Sequence, residues 1–272
     1  MCELFAMSSR YPADISFSLE CFARHGGFTA PHKDGWGIAF HDGHDTQIFR
    51  ELTPAANSPT VNFIRSNAFS SKIAISHIRL ATRGEVSLRN TQPFQRPLCG
   101  RVHVFAHNGD LLDLEAHFPL RDCHFSPIGN TASEYAFCLL LQRLQALWAQ
   151  PGTPDLRQRY TCIAEFARDL RPLGTANFIY SDGEYVFLHD HKRSQSANEA
   201  PRPPGLYWLC RSCEAKSKHL PINGLILSSK APGQKAFMAA SVPLTKENWV
   251  ALAEGEIVVC KNGQVLPREA LG

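Results

Sequence analysis

Two helical patterns stand back to back in the middle of the chain, with strand patterns on both sides of them. The first runs about 131–149 and carries an apolar face through Phe137, Leu140, Leu141, Leu144 and Leu147. The second runs from Pro154 to about Arg171, at hairpin distance from the first. Apolar residues three and four apart mark one buried face of a helix. Before this pair, strand patterns fall at 2–7, 36–40, 47–51, 72–78 and 102–106; after it, at 176–180, 185–188, 206–210, 224–228 and 256–260. Helices and sheets each have an apolar side to cover, so this order predicts one layered α+β domain over 2–272, a sandwich whose sheets are covered by helices. The chain shows no internal repeat and no linker.

Local signals fill in the remainder. Tyr11-Pro12 is expected to break the first strand. Asp14 is expected to cap a helix through Ile15, Leu19, Phe22 and Ala23 that Gly26-Gly27 ends. Asp42-Gly43-His44-Asp45 reads as a hairpin turn and 58–66 as a short helix. Thr131 and Glu134 have the spacing of a capping box. Residues 191–204 are polar and Pro-rich and read as an exposed, mobile loop.

Composition excludes several classes of function. The net charge is +3 with scattered Lys and Arg, so no basic stripe points to nucleic acid. No apolar run is long enough to span a bilayer. No basic stretch followed by an apolar segment marks a secretion signal. Nine Cys at irregular spacing are then expected as reduced thiols in a cytoplasmic protein. Cys210 and Cys213 form a lone C-x-x-C with only His219 nearby, short of a zinc set. Gly35-x-Gly37 lacks the third Gly and the helix start of a phosphate loop.

Chemistry gathers around Cys2. If Met1 is removed, Cys2 carries a thiol and an α-amine on one residue. The amine, with a pKa of about 7.7–8.0, can serve as base for the thiol. A thiolate attacking an amide needs donors where the oxyanion forms. Asn108 and Gly109 offer a side-chain amide and a backbone N–H in a turn after a strand, although Asn-Gly is also the commonest hairpin turn. Arg79, at a strand end, can hold a carboxylate with its planar fork, and Thr82 can add a hydroxyl.

The order of these features resembles a family. Cys2, D-G-W-G-I-A-F at 34–40, H-I-R-L-A-T-R-G at 77–84, N-T-Q-P-F at 90–94, A-H-N-G at 106–109 and G-N-T-A-S-E-Y-A-F at 129–137 are similar to the class II glutamine amidotransferases, and most of all to the stand-alone bacterial type. The resemblance implies the four-layer αββα sandwich of the N-terminal-nucleophile hydrolases. It implies that Cys2 attacks the side-chain amide of glutamine, that a glutamyl thioester forms, and that ammonia leaves. Asn108 and Gly109 would form the oxyanion hole, Arg79 would bind the substrate α-carboxylate with Thr82 close by, and no metal or organic cofactor would be used. A separate ammonia-accepting protein is an implied partner, with a plain hydrolase as the alternative.

One position departs from the pattern. Where relatives read T-D-S-E or T-D-T-E, this chain has Ala132 in Thr131-Ala132-Ser133-Glu134. The acid normally grips the α-ammonium of glutamine. Asp110 is the nearest substitute in sequence. The alternatives are a γ-glutamyl amide or peptide as substrate, and a weakly active or non-catalytic partner subunit.

Overall fold

The computed structural model describes residues 2–67, 69–82, 84–150, 152–195, 199–212 and 233–271. Within them, the first half contributes β1 (Glu3–Asp14), α1 (Ser16–His25), β2 (Trp36–Asp42), β3 (Asp45–Glu51), α2 (Pro59–Ser66), β4 (Ser70–Ile78), β5 (Phe94–Leu98), β6 (Arg101–Asn108) and α3 (Leu114–His117). The central hairpin is α4 (Ala132–Trp148) and α5 (Leu156–Leu170). There follow β7 (Asn177–Ser181), β8 (Val186–His189), β9 (Tyr207–Ser212), β10 (Lys235–Ala240), β11 (Val250–Ala251), β12 (Ile257–Lys261) and β13 (Gln264–Val265).

The strands form two sheets whose pairings are all antiparallel. The first has the order β11-β9-β10-β1-β4-β2-β3, the second β13-β12-β8-β7-β6-β5. Alternation along β1 shows the layering. Phe5 and Met7 join the cluster beneath α1, with Leu19 and Phe22. Leu4 and Ala6 join the cluster between the sheets, with Ala106, Ile179 and Leu188. Along β6, Val104 and Ala106 face that same interior, while Phe105 packs under α4 and α5 with Phe137 and Phe166. Strand side chains alternate between faces, so each sheet has one face on the other sheet and one on helices. The result is the four-layer αββα sandwich that the resemblance implies.

Several local expectations hold and others are corrected. The helical face through Phe137, Leu140, Leu141 and Leu144 is buried, with Leu147 partly so. Tyr11-Pro12 does not end β1: the strand continues to Asp14 through a register shift between Ser8 and Ala13. A bulge lets Pro sit in a strand, because its missing N–H is not needed there. The cap of α1 is Ile15, with no side-chain cap bond, since Asp14 belongs to β1. Thr131 does cap α4 by accepting from the Glu134 N–H, but the Glu134 carboxylate turns to Arg96 and the Gly129 N–H, so the box is not closed. In the 191–204 segment, His191 and Arg193 are buried, and Arg193 bridges Arg202 and donates to the Ser241 carbonyl. That start of the segment is anchored, while Glu199, Ala200, Pro201 and Arg202 are exposed as expected. The expected strand at 224–228, Cys213 and His219 lie outside the described residues, while Cys210 is an exposed thiol.

Candidate active site

The site is built at one end of the space between the sheets. Glu3 pairs with Ile78 and Leu4 with His77 across the β1–β4 ladder, so the next step outward brings Cys2 beside Arg79. The thiol of Cys2 lies against the backbone of Leu80: the Leu80 N–H donates to Sγ at 3.4 Å, and Sγ is 3.5 Å from the Leu80 carbonyl. Burial raises the pKa of this thiol. The Leu80 bond and the Arg79 charge act against that rise, and the Asp110 charge adds to it. A part-buried thiol of raised pKa is not a ready thiolate, so its reactivity depends on a base that accepts its proton.

The D-G-W-G segment holds the Arg79 strand end in place. The Gly35 carbonyl accepts from the Arg79 N–H at 2.8 Å, and the Asp34 carboxylate accepts from the Ala81 N–H at 2.8 Å. Gly35 has φ +113°, and a Cβ there would stand 2.8 Å from the Glu51 carbonyl. Only glycine meets both demands cheaply. The buried guanidinium of Arg79 donates to the carbonyls of Glu85 at 2.9 Å and Gly84 at 3.3 Å, tying down the loop after the strand. That loop lies against the start of α4, where a Cβ on Gly84 would come within 3.2 Å of the Thr131 methyl.

Asn108 ends β6 on the sheet opposite, pointing into the same interior as Ala106. Its side-chain amide is fully buried, and neither its oxygen nor its nitrogen has a partner among the described residues. Buried polar atoms are nearly always paired, and an unpaired amide at a strand end reads as a group awaiting a ligand. The backbone around it is fixed by three residues, Asn177, Gln92 and Thr175. The Asn177 amide donates to the Asn108 carbonyl at 3.1 Å. The Gln92 amide clasps the His107 backbone, accepting from its N–H at 2.6 Å and donating to its carbonyl at 3.1 Å. The Asp110 N–H donates to the Thr175 hydroxyl at 3.0 Å. Gly109 lies so close to Thr175 that a Cβ would stand 1.7 Å from its carbonyl oxygen.

His107 turns to the helix side. Burial holds its pKa down to about 4, so it is neutral. Its Nε2 is 3.2 Å from the Thr175 carbonyl, which can only accept, so the ring donates there. Nδ1 then accepts from the Ser133 hydroxyl at 2.9 Å. One ring thus joins the Asn108 strand, the start of α4 and the Thr175 loop. Thr82 and Asp110 meet: the Thr82 hydroxyl donates to the Asp110 carboxylate at 3.1 Å.

The residues singled out in the sequence are therefore gathered from two sheets. Cys2 is within electrostatic reach of both Arg79 and Asp110, Thr82 touches Asp110, and Asn108-Gly109 leads into Asp110. The supports supplied by Gln92, Thr175 and Asn177 were not found from sequence. Only Gln92, inside the N-T-Q-P-F run, carried a signal. Among the described residues, no group of His, Cys, Asp and Glu could hold a metal ion, and no helix is long and apolar enough to cross a membrane. A cleft of about 340 Å³ lies elsewhere, under α5, and does not include Cys2.

Comparisons with known proteins show the family and the fold. The family model for "Glutamine amidotransferases class-II" matches residues 1–270. The Escherichia coli (strain K12) protein named "Putative glutamine amidotransferase YafJ" is 37% identical over 261 residues, covering 94% of this chain and 96% of that one. A Haemophilus influenzae relative named "Putative glutamine amidotransferase" is 36% identical over 281 residues, covering 100% and 90%. A Pseudomonas aeruginosa crystal structure, described as a "predicted glutamine amidotransferase", superposes with a TM-score of 0.69 at 30% identity, covering 98% of this chain and all of that one. The Bacillus subtilis glutamine phosphoribosylpyrophosphate amidotransferase shares the fold at a TM-score of 0.60 and 14% identity, and this chain spans 48% of it. The strand-end cysteine, the arginine beside it and the Asn-Gly turn on the other sheet thus sit on a shared fold, and the chain belongs to the class II glutamine amidotransferases.

Proposed function

We propose that this chain hydrolyses the side-chain amide of glutamine with Cys2 as nucleophile, once Met1 has been removed in the cytoplasm. The observation that carries the reading is a part-buried Cys2 thiol within reach of the Arg79 and Asp110 charges, with the buried, unpaired Asn108 amide two residues before Asp110. The α-amine takes the thiol proton as sulfur attacks the amide carbon. The Asn108 side-chain amide and the Gly109 N–H stabilise the oxyanion. The amine returns the proton to the leaving nitrogen, the C–N bond breaks, ammonia departs and a glutamyl thioester remains. Water adds to the thioester, giving up a proton to the amine. Collapse releases glutamate and restores the thiol. The ammonia passes to a separate acceptor protein or to solvent.

Arg79 pairs with the substrate α-carboxylate, and Asp110, held by Thr82, supplies the negative charge for the α-ammonium that Ala132 lacks. Ala132 favours one second reading, a γ-glutamyl amide or peptide as substrate. The deciding experiment is intact mass before and after a diazo-ketone analogue of glutamine, on wild type and Cys2→Ala. Loss of Met1 and one adduct that disappears in Cys2→Ala is the expected result. An adduct that persists in Cys2→Ala, or a retained Met1, overturns the reading. Faster turnover of γ-glutamyl peptides than of glutamine would instead select the second substrate class.

A further inference from the structure

The cleft of about 340 Å³ under α5 is separate from the nucleophile and carries its own chemistry. One wall is the outward side of α5, with Thr161, Ala164, Glu165 and Arg168, continued by Arg171 just past the helix end. The opposite side is the start of β12 and the turn before it, with Ile257 and Gly255. The floor is His189, the last residue of β8, which pairs with Ile257 on β12 and Phe178 on β7.

His189 is fully buried and stacks on Phe178 with ring centroids 5.0 Å apart. Its Nδ1 is 2.7 Å from the Ala176 carbonyl, so that nitrogen carries the proton and donates. Nε2 is therefore an acceptor, and it has no partner among the described residues. A buried acceptor left unmatched is costly, so a group that donates to it gains that energy on binding.

Two cations line the same cleft, and the charge of one, Arg171, reaches His189. Arg171 lies across Gly255, where a Cβ would come within 2.2 Å of Nη1, so glycine keeps the space that the guanidinium occupies. The nearby Glu254 carboxylate is taken by Lys192 at 3.0 Å and His191 at 3.4 Å, and Arg171 forms no ion pair among the described residues. Arg168, one helical turn back from Arg171, is exposed and also forms no ion pair among them. Pockets of this size with a few convergent polar groups bind small molecules, and guanidinium forks match carboxylates.

We propose that this cleft binds a small carboxylate bearing an adjacent hydroxyl or ammonium group, the carboxylate on Arg168 and Arg171 and the donor on His189 Nε2. The proposal does not depend on the amidase reading, because no residue of the cleft belongs to the Cys2 site.

The test is titration calorimetry on the full chain with three probes: L-malate, which has the hydroxyl, L-aspartate, which has the ammonium, and succinate, which has neither. The expected result is malate or aspartate binding at least about tenfold more tightly than succinate, with Arg171→Ala weakening it by about tenfold or more. His189→Leu is expected to abolish the preference over succinate. Arg171 and Arg168 are surface residues, so Arg171→Ala and Arg168→Ala keep the test decisive if His189→Leu does not fold. No binding of any probe, equal affinity for all three, or malate and aspartate affinity unchanged in Arg171→Ala would overturn the proposal. The last result would also mark binding at another cation, Arg79 included.

Discussion

Acid should unfold this protein early, and the reason lies in its buried imidazoles. His41, His103, His107 and His189 are each pushed down to about 4, and His77 to about 3, in every case chiefly by burial. An unfolded histidine titrates near about 6.5. As pH falls through that value the unfolded chain takes up protons that the native chain refuses, so stability present at neutral pH is lost down to the folded pKa. Asp190 acts in the opposite direction. Its carboxyl is raised to about 7, mainly by burial, so the native state holds a proton there that the unfolded chain releases. Setting five histidines against one aspartate, unfolding takes up a net of about three to four protons near pH 5.5, or about 5 kcal/mol of stability per pH unit there. The loss is about 2 kcal/mol between pH 7 and 6 and about 4 kcal/mol more between pH 6 and 5. That is comparable with the whole stability of a typical domain, about 5–15 kcal/mol, so unfolding is expected near pH 5. Urea unfolding followed by tryptophan fluorescence at these three pH values measures it. A loss under about 1 kcal/mol between pH 6 and 5, or a gain, would refute the assignment of these rings as neutral and buried.

The other predictions concern the site. Asn108→Ala should lower kcat by about 100- to 1,000-fold with the fold intact by circular dichroism, as expected for loss of an oxyanion donor; a wild-type rate removes it from that role. Arg79→Lys keeps the charge and loses the fork, so KM should rise by more than kcat falls, and an unchanged KM means that Arg79 does not meet the substrate. Asp110→Asn should raise KM for glutamine by about tenfold in wild type but much less beside Ala132→Asp, because the restored acid would share its task. Additive effects in that cycle would show that Asp110 does not stand in for the acid missing at 132.

The helical hairpin was legible in the sequence because its apolar residues recur at helical spacing and its connection is short. Cys2, Arg79 and the Asn108-Gly109 turn were legible as candidates because each is a chemical type carried inside a run of neighbours. Harder to read were strands whose composition argues for something else. Lys235–Ala240 is rich in Ala and Met, which favour helices, yet it is a strand because it lies between β9 and β1. Phe94–Leu98 contains Pro97 and is tolerated as a strand because it forms the sheet edge.

The sequence by itself therefore singled out the groups proposed for the chemistry and determined that helices cover sheets, since both depend on residue type and on periods of two and 3.6. Only the tertiary structure decided how those groups are held. The Asn108 backbone is fixed by Gln92, Thr175 and Asn177, and the last lies 69 residues away. His189 shares a cleft with Arg168 on α5 and Arg171 just past its end, and no local pattern ties them to it. Such contacts join residues whose spacing in the chain carries no signal, because only the packing of two sheets and two helical layers brings them together.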